Sequence, residues 1–444
     1  MNKADIIIIG SGPGGYKAAE YAAKNGKTVI IFEREHAGGT CLNCGCIPTK
    51  TLCKNAEVID TLHEAEVYGV NNCSFDFDFT RAVERKQQVV EALRSGVETL
   101  MSAPGITLVK AEASFKDAHT VVAGGEEYTA DNIIIAIGSR AKMLPIPGID
   151  MPHVVTSTEM LNLQAVPKKL VIVGAGVIGM EFASIFNSFG SEVTVVEFLK
   201  ECLPALDSDI AKRLRQTISK RGVNFSMQSG VKAITADGVV FERKGKEETV
   251  EADLVLIATG RAANSEGLNL EAVGIETNRG AIVVDDNMQT SQKGVYAIGD
   301  VNARMMLAHA ATFQGFRAVN HILGKKDDIR LSLIPSAIFT HPEAACVGPT
   351  EDQCKADAME YKCRKGYYRS NGKALAMNET EGFVKLLSDA DDRIIACHAF
   401  GAHAADLIQE VSCLIARDTT VAQLRDMVHT HPTLSEIIWE TAMQ

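Results

Sequence analysis

No uninterrupted apolar run in the 444 residues reaches the roughly 20 residues that a membrane-spanning helix needs. Positive charge is also short. The chain carries 45 Lys and Arg against 56 Asp and Glu, a formal charge of −11, which opposes a nucleic-acid partner. Met1-Asn2-Lys3 runs almost directly into an apolar strand, leaving no room for a signal or transit segment. Eleven cysteines in a long chain of that kind point to a reducing compartment, so a soluble cytoplasmic protein is expected. No second Cys/His cluster accompanies the one near residue 41, and a structural zinc site wants four ligands in spaced pairs; no metal is expected. With 46% hydrophobic residues the chain is globular, and its length suits two to four domains.

What the chain does have is a strand–turn–helix pattern, twice. Residues 5–9 read as a buried strand, followed by Gly10-Ser11-Gly12-Pro13-Gly14-Gly15 and a helix of small residues (Ala18, Ala19, Ala22, Ala23). In that order these are a dinucleotide-binding fingerprint. The glycines permit a tight turn and close approach of a pyrophosphate, which then sits on the helix N-terminus. The next strand, residues 28–32, leads to Glu33, at the spacing of an acid that binds ribose hydroxyls. The arrangement returns at residues 170–173, with Gly174-Ala175-Gly176-Val177-Ile178-Gly179 and a strand ending at Glu197. From first glycine to strand-end acid is 23 residues in both copies, 10 to 33 and 174 to 197. Two bound dinucleotides are implied. Glu197 would accept from a ribose 2′-hydroxyl and repel a 2′-phosphate, and no arginine stands immediately beside it, so the second nucleotide is expected to be NAD.

Between the two copies lies Gly38-Gly39-Thr40-Cys41-Leu42-Asn43-Cys44-Gly45-Cys46-Ile47-Pro48-Thr49-Lys50. In a regular helix, residues five apart have Cα atoms roughly 8–9 Å apart, beyond the ~7 Å a disulfide tolerates. Cys41 and Cys46 could therefore bridge only across a distorted first turn, for which Gly45 supplies backbone freedom. So short a loop adds little chain-entropy stabilisation, which favours a redox switch over a staple, with structural thiols as the plainer alternative. A helix starting here would also lower a thiol pKa. Cys44 reads as a small apolar filler, or as a competing disulfide partner. Lys50 lies on the helical face of Cys46 and needs a partner if buried, for which Glu181 is a candidate. The charged helical stretch 79–102 reads as a solvated or interface face without chemistry.

From about residue 334 the pattern changes to strands at 335–340, 361–368 and 382–387 and helices at 406–416 and 421–428, with no glycine-rich phosphate loop. An interface module is expected. It ends in His429-Thr430-His431-Pro432-Thr433-Leu434-Ser435-Glu436. Thiol–disulfide exchange needs a base titrating near neutrality, and a carboxylate on the far ring nitrogen fixes its tautomer. His431 with Glu436 suits this, with His429 as the alternative base. His341, in a second His-Pro pair, reads as a strand-to-turn residue.

Taken together, these segments resemble the pyridine nucleotide–disulfide oxidoreductase family over essentially the whole chain. The specific motifs are residues 38–50, Met306-Leu307-Ala308-His309 and residues 431–436. The family pattern usually has Val where this chain has Cys44, which puts side disulfides in play. The resemblance implies an α/β fold of two Rossmann-like dinucleotide-binding domains plus a C-terminal α+β dimerisation domain. The FAD-binding domain would be discontinuous, 1–145 and 265–330, with the NAD-binding domain at 146–264 and the interface domain at 331–444. FAD would be held by Gly10, Gly12, Gly14, Gly15, Glu33, Gly39, Thr40, Lys50, Gly138, Ala308 and Asp300, the last at the ribitol. NAD would be held by Gly174, Gly176, Gly179, Glu197 and Gly260.

By the same resemblance Cys41 is the interchange thiol that attacks the substrate and Cys46 the thiolate against the flavin. His431 is the base and Glu436 its orienting partner, both reaching the site from the other subunit of a homodimer, and Lys50 and Glu181 are the pair beside the flavin. In the family members most like this chain, dihydrolipoamide reduces the disulfide, electrons pass through FAD, and NAD⁺ leaves as NADH. The lipoyl group belongs to another protein, of a 2-oxo acid dehydrogenase complex or a glycine cleavage system. Mercury-reducing relatives carry a C-terminal cysteine pair, whereas no cysteine follows Cys413 here. Glutathione-reducing relatives favour NADP, which Glu197 opposes, and soluble transhydrogenases lack one of the two cysteines. A flavoprotein redox sensor without dithiol turnover is the alternative of a different kind, against which the His431/Glu436 pair weighs.

Overall fold

Four consecutive isoleucines, Ile6 to Ile9, suit a strand covered on both faces. In the computed structural model, which describes residues 2–444, they end strand β1 (Asn2–Ile9) at 0–4% exposure. β1 pairs in parallel with β2 (Val29–Glu33) on one side and with strand Glu126–Ile135 on the other. β3 (Ile106–Lys110) continues the sheet beyond β2, and the late strand Val295–Ala297 returns to lie parallel to Glu126–Ile135. Each fully buried aliphatic side chain here contributes about 1.5–3 kcal/mol over leaving it exposed.

The chain divides into two units. The first comprises Met1–Thr51, Thr80–Lys142 and Gly260–Leu331, and the second Leu52–Phe79, Met143–Thr259 and Ser332–Gln444. In the first, helix α1 (Pro13–Lys24) turns Gly14, Gly15, Ala18, Ala19 and Ala22 inward. Small residues are required there: a Cβ on Gly14 would stand 3.0 Å from the carbonyl of Ala311 in helix Ala308–Ile322.

The second unit repeats the parallel core. Strand Lys169–Val173 lies between Glu192–Glu197 and Leu254–Ile257, with Asn224–Met227 and Val154–Val155 at the edges. The C-terminal part is a five-stranded antiparallel sheet, Ser336–Ile338, Glu343–Val347, Ile394–Gly401, Phe383–Ser388 and Lys362–Tyr367 in spatial order. Strands Glu343–Val347 and Ile394–Gly401 are additions to the sequence reading, and the expected helices are Ala404–Ala416 and Val421–Arg425. Lys385, mid-strand and 1% exposed, places its Nζ 2.6 Å from both Asp207 Oδ1 and Glu351 Oε2. A buried cation is tolerated only when paired this well.

The charged stretch read as a solvated or interface face is one helix, Phe79–Met101. Most of its residues are exposed or half-buried, while Ala82, Lys86, Val90, Val97 and Met101 form a buried stripe at helical spacing. Burial pushes the Lys86 ammonium pKa down.

Candidate active site

The two glycine loops are built alike. Gly10 and Gly174 have φ +101 and +108, and a Cβ on either would stand 2.5 Å from a neighbouring strand's carbonyl, Ala136 or Ala258. A Cβ on Gly15 or Gly179 would stand 2.0 Å from the carbonyl of its own loop's first glycine. Only glycine lets each helix seat directly on its turn. At the middle glycines, Gly12 and Gly176, nothing lies within 4 Å of the Cβ position. These two residues are the N-caps of α1 and of helix Val177–Ser188, and no side chain caps either end. Open space in front of uncapped N–H groups is what a pyrophosphate requires, so both loops fit a dinucleotide.

The strand-end acids are fixed on those loops. Glu33 Oε2 accepts from Ser11 N at 3.1 Å and from Ser11 Oγ at 2.6 Å. Glu197, buried, accepts from Ala175 N through Oε2 at 2.6 Å and from Leu199 N through Oε1 at 2.7 Å. A carboxylate offers about four lone-pair sites, so acceptor capacity remains for ribose hydroxyls.

The redox segment is two helices, α2 (Gly39–Cys44) and α3 (Cys46–His63), broken at Gly45. A Cβ at residue 45 would stand 2.9 Å from Thr40 O and 3.3 Å from Cys41 Cα, so the chain doubles back there only as glycine. The distortion expected within one helix is thus a break between two. Cys41 and Cys46 are thiols here and share a hydrogen bond. That bond, then burial, pushes the Cys41 thiol pKa far above its ordinary value, against the pull of Lys50. Lys50 lies one turn along α3 from Cys46, half-buried, and Thr40 is exposed at the start of α2. Cys44, the last residue of α2, is half-buried like Cys41 and Cys46.

This segment docks on the first glycine loop. Gly38 N donates to Ser11 O at 3.0 Å, and a Cβ on Gly39 would stand 2.7 Å from Gly12 Cα. Asn43 Nδ2 donates to Ala37 O at 3.0 Å and Gly39 O at 2.9 Å, while its Oδ1 accepts from Arg94 Nε at 2.8 Å. Sequence reasoning missed that clamp, because Arg94 lies in the helix to which no chemistry was assigned.

Asp300 sits in the turn Gly299–Asn302 and accepts from Ser139 Oγ. Arg261 holds Ser139 in turn, with Nε 2.7 Å from Oγ and an η-nitrogen 2.7 Å from the carbonyl. Gln314 Oε1 accepts from Gly299 N at 2.7 Å and fixes the other side of the turn. Gly138 and Gly260, with φ +69 and +111, have nothing within 4 Å of their Cβ positions. Ala308 opens its helix with no side-chain cap, and Thr312 one turn on donates to Pro13 O at 3.4 Å.

In the second unit, Glu181 is buried and its Oε1 accepts from Phe339 N at 3.0 Å. His431 and Glu436 meet as expected, Nδ1 to Oε1 at 3.0 Å, and Glu436 Oε2 accepts from Thr433 N at 2.8 Å. The Thr433 N–H, then His431, holds the Glu436 carboxyl pKa below its ordinary value. The His431 side chain is 79% exposed. His429 has both ring nitrogens engaged, Nε2 with Glu410 at 2.8 Å and Nδ1 with Met427 O at 3.0 Å. Among the described residues, the hydrogen bond of the His431 ring is the one from Nδ1 to Glu436, whereas both nitrogens of His429 are engaged.

A second histidine cluster went unread. Asp60 accepts from Arg221, from His341 Nδ1 at 3.0 Å and from Ser188 Oγ at 3.1 Å, while His341 Nε2 lies 3.4 Å from Glu379. Asp60 first, then Glu379, raises the His341 imidazole pKa to about 9. His341 does follow a strand into a turn, but its ring belongs to this ion cluster.

Residues 4–315 match the family described as pyridine nucleotide-disulphide oxidoreductase, and residues 334–442 match its dimerisation domain. The dihydrolipoyl dehydrogenase of Mycoplasma pneumoniae is 38% identical over 445 residues, covering 98% of this chain and 96% of its own. That of Bacillus subtilis is 38% identical over 462 residues, covering 99% and 97%. A solved structure, the Cu(II) complex of the HOCl-induced flavoprotein disulfide reductase RclA from Escherichia coli, superposes with a TM-score of 0.88. Its identity is 31%, covering 100% of this chain and 99% of that one. The chain belongs to the pyridine nucleotide-disulphide oxidoreductase family, as an FAD- and NAD-dependent disulfide oxidoreductase. Among the described residues, no helix is long and apolar enough to cross a membrane.

Proposed function

We propose that the chain is a dihydrolipoyl dehydrogenase, oxidising protein-bound dihydrolipoamide to lipoamide through a Cys41–Cys46 disulfide and reducing NAD⁺ to NADH. The docking of α2 on the first glycine loop carries this reading, because it sets the two-sulfur switch against a dinucleotide cradle within one unit. Bound FAD supplies two-electron transfer between the thiol pair and NAD⁺. It would be held by the residues of the first loop with Glu33, Gly39, Thr40, Gly138, Asp300 and Ala308. The second loop with Glu197 and Gly260 would hold NAD.

In the oxidising direction a substrate thiolate attacks Cys41 Sγ, the Cys41–Cys46 bond breaks, and Cys46 leaves as thiolate. Cys41 is thus the attacked sulfur in this direction and the attacking thiol in reverse. His431 Nε2 takes the proton of the second substrate thiol. That thiolate closes the substrate disulfide and releases Cys41. Glu436 on Nδ1 fixes the tautomer with Nε2 as acceptor and stabilises the imidazolium. Lys50 and Glu181 are assigned to steady negative charge beside Cys46 and the flavin.

His431 and Glu436 serve the site of the other subunit in a homodimer. The match of residues 334–442 to the dimerisation domain and the exposure of His431 support this. The FAD domain is assigned to 1–145 and 265–330, the NAD domain to 146–264 and the dimerisation domain to 331–444. The dithiol is carried by the lipoyl-bearing protein of a 2-oxo acid dehydrogenase complex or a glycine cleavage system, in the cytoplasm. The test is NADH formation by the purified holoenzyme from dihydrolipoamide and NAD⁺. Turnover that depends on dithiol and is lost in Cys41→Ser is expected; none above background would leave only a flavoprotein sensor.

A further inference from the structure

α2 carries a third thiol that this chemistry leaves unused. Cys44 closes the helix, three residues after Cys41. In an α-helix, residues i and i+3 share a face with Cα atoms about 5 Å apart, within the roughly 4.4–6.8 Å of disulfides. Their Cβ atoms, about 5–6 Å apart, must close by about 1–2 Å to reach the ~3.5–4.5 Å of a bridge. Cys44 is the last residue of α2, beside Gly45, where the backbone can give that movement. The Cys41–Cys46 link, by contrast, has to span the break at Gly45. Cys41 therefore has one thiol, Cys44, on the same face of its own helix and another, Cys46, across that break, with which it shares a hydrogen bond. Asn43 holds the turn between Cys41 and Cys44 through Ala37, Gly39 and Arg94, contacts that involve neither sulfur. Leu42 packs inward while all three cysteines stay half-buried.

We propose that Cys44 is a second disulfide partner of Cys41, so that the oxidised enzyme exchanges between a working Cys41–Cys46 link and a parked Cys41–Cys44 link. This rests on the redox role proposed for Cys41 and Cys46. Cys44 releases its proton to solvent and its thiolate attacks Cys41 Sγ. The Cys41–Cys44 bond forms, the Cys41–Cys46 bond breaks, and Cys46 leaves as a thiolate that a solvent proton can neutralise. One sulfur–sulfur bond replaces another, and no electron enters or leaves. The parked link keeps Cys41 oxidised while removing Cys46 from the disulfide.

The test is to quench the air-oxidised holoenzyme in acid, unfold it, alkylate every remaining thiol and cut it after Arg34 and Lys50. Residues 35–50 then form one peptide holding all three cysteines, and fragmentation locates the label. A single label divided between Cys44 and Cys46 is expected. Cys44→Val should lose the label on this peptide entirely while keeping dithiol-driven NADH formation. A label confined to Cys44 in the unmodified protein overturns the exchange and leaves the Cys41–Cys46 pair intact. Three labels on one peptide overturn the redox pair itself.

Discussion

Replacing Glu197 by alanine asks whether that carboxylate selects the nicotinamide nucleotide. Its two oxygens hold Ala175 N at 2.6 Å and Leu199 N at 2.7 Å, which fixes the charge at the end of its strand. A 2′-phosphate brought to about 4 Å meets a repulsion of about 4 kcal/mol per unit charge at an effective dielectric near 20. Ionic screening reduces this, and a retained ~1.5–3 kcal/mol corresponds to about 10–100-fold in relative kcat/KM. Alanine also frees two backbone donors toward a phosphate oxygen, which acts in the same direction. The ratio of kcat/KM for NADP⁺ over NAD⁺ should therefore rise about 10–100-fold, measured at saturating dihydrolipoamide. The loop should loosen as well, since hydrogen bonds to charged groups are worth ~1.5–3 kcal/mol each, so the melting temperature should fall. A lower melting temperature with an unchanged nucleotide ratio would refute the reasoning and leave Glu197 as a brace of the loop.

His431→Gln should slow dihydrolipoamide oxidation by ~10²–10⁴, the range for lost acid–base assistance. His429→Gln should stay near normal, because both His429 nitrogens are already committed; the reverse outcome would move the base to His429. The His341 imidazole, raised from 6.5 to about 9 when folded, contributes stability that is complete below pH 6.5 and lost as pH rises through 9. Thermal melts from pH 6 to 10 should therefore fall more steeply for the unmodified protein than for His341→Gln, and parallel curves would contradict this. Lys385→Met should cost about 3–5 kcal/mol in denaturant unfolding, because it strands Asp207 without its buried cation; a neutral effect would show that water reaches Asp207.

Much of the nucleotide-binding architecture is legible in the sequence because close backbone approach leaves no choice of residue. Gly10, Gly15, Gly174 and Gly179 each stand where a methyl group would strike a carbonyl, so the two loops announce themselves. The His431–Glu436 pair is legible for a related reason: its partners are five residues apart across one turn. What could not be read depends on partners remote in sequence. Asp60, Arg221 and His341 belong to three distant segments, and no local spacing brings them together. Lys385 has the same character. Its strand reads as apolar apart from one lysine, and the acids that make burial tolerable lie on a helix N-cap and a helix start elsewhere. The helix over Phe79–Met101 shows a third limit, since its charges hide a buried stripe at helical spacing and the arginine that steadies Asn43.

The most direct test of electron entry through Cys46 is anaerobic titration of the flavin-loaded protein with dihydrolipoamide, following long-wavelength absorption. A thiolate–flavin band is expected to grow in with dithiol in the unmodified protein. In Cys41→Ser the band should be present without any reductant, because Cys46 is then a lone sulfur beside the flavin. In Cys46→Ser it should be absent throughout, and persistence of the band in that variant would contradict the assignment of Cys46 as the flavin-side sulfur.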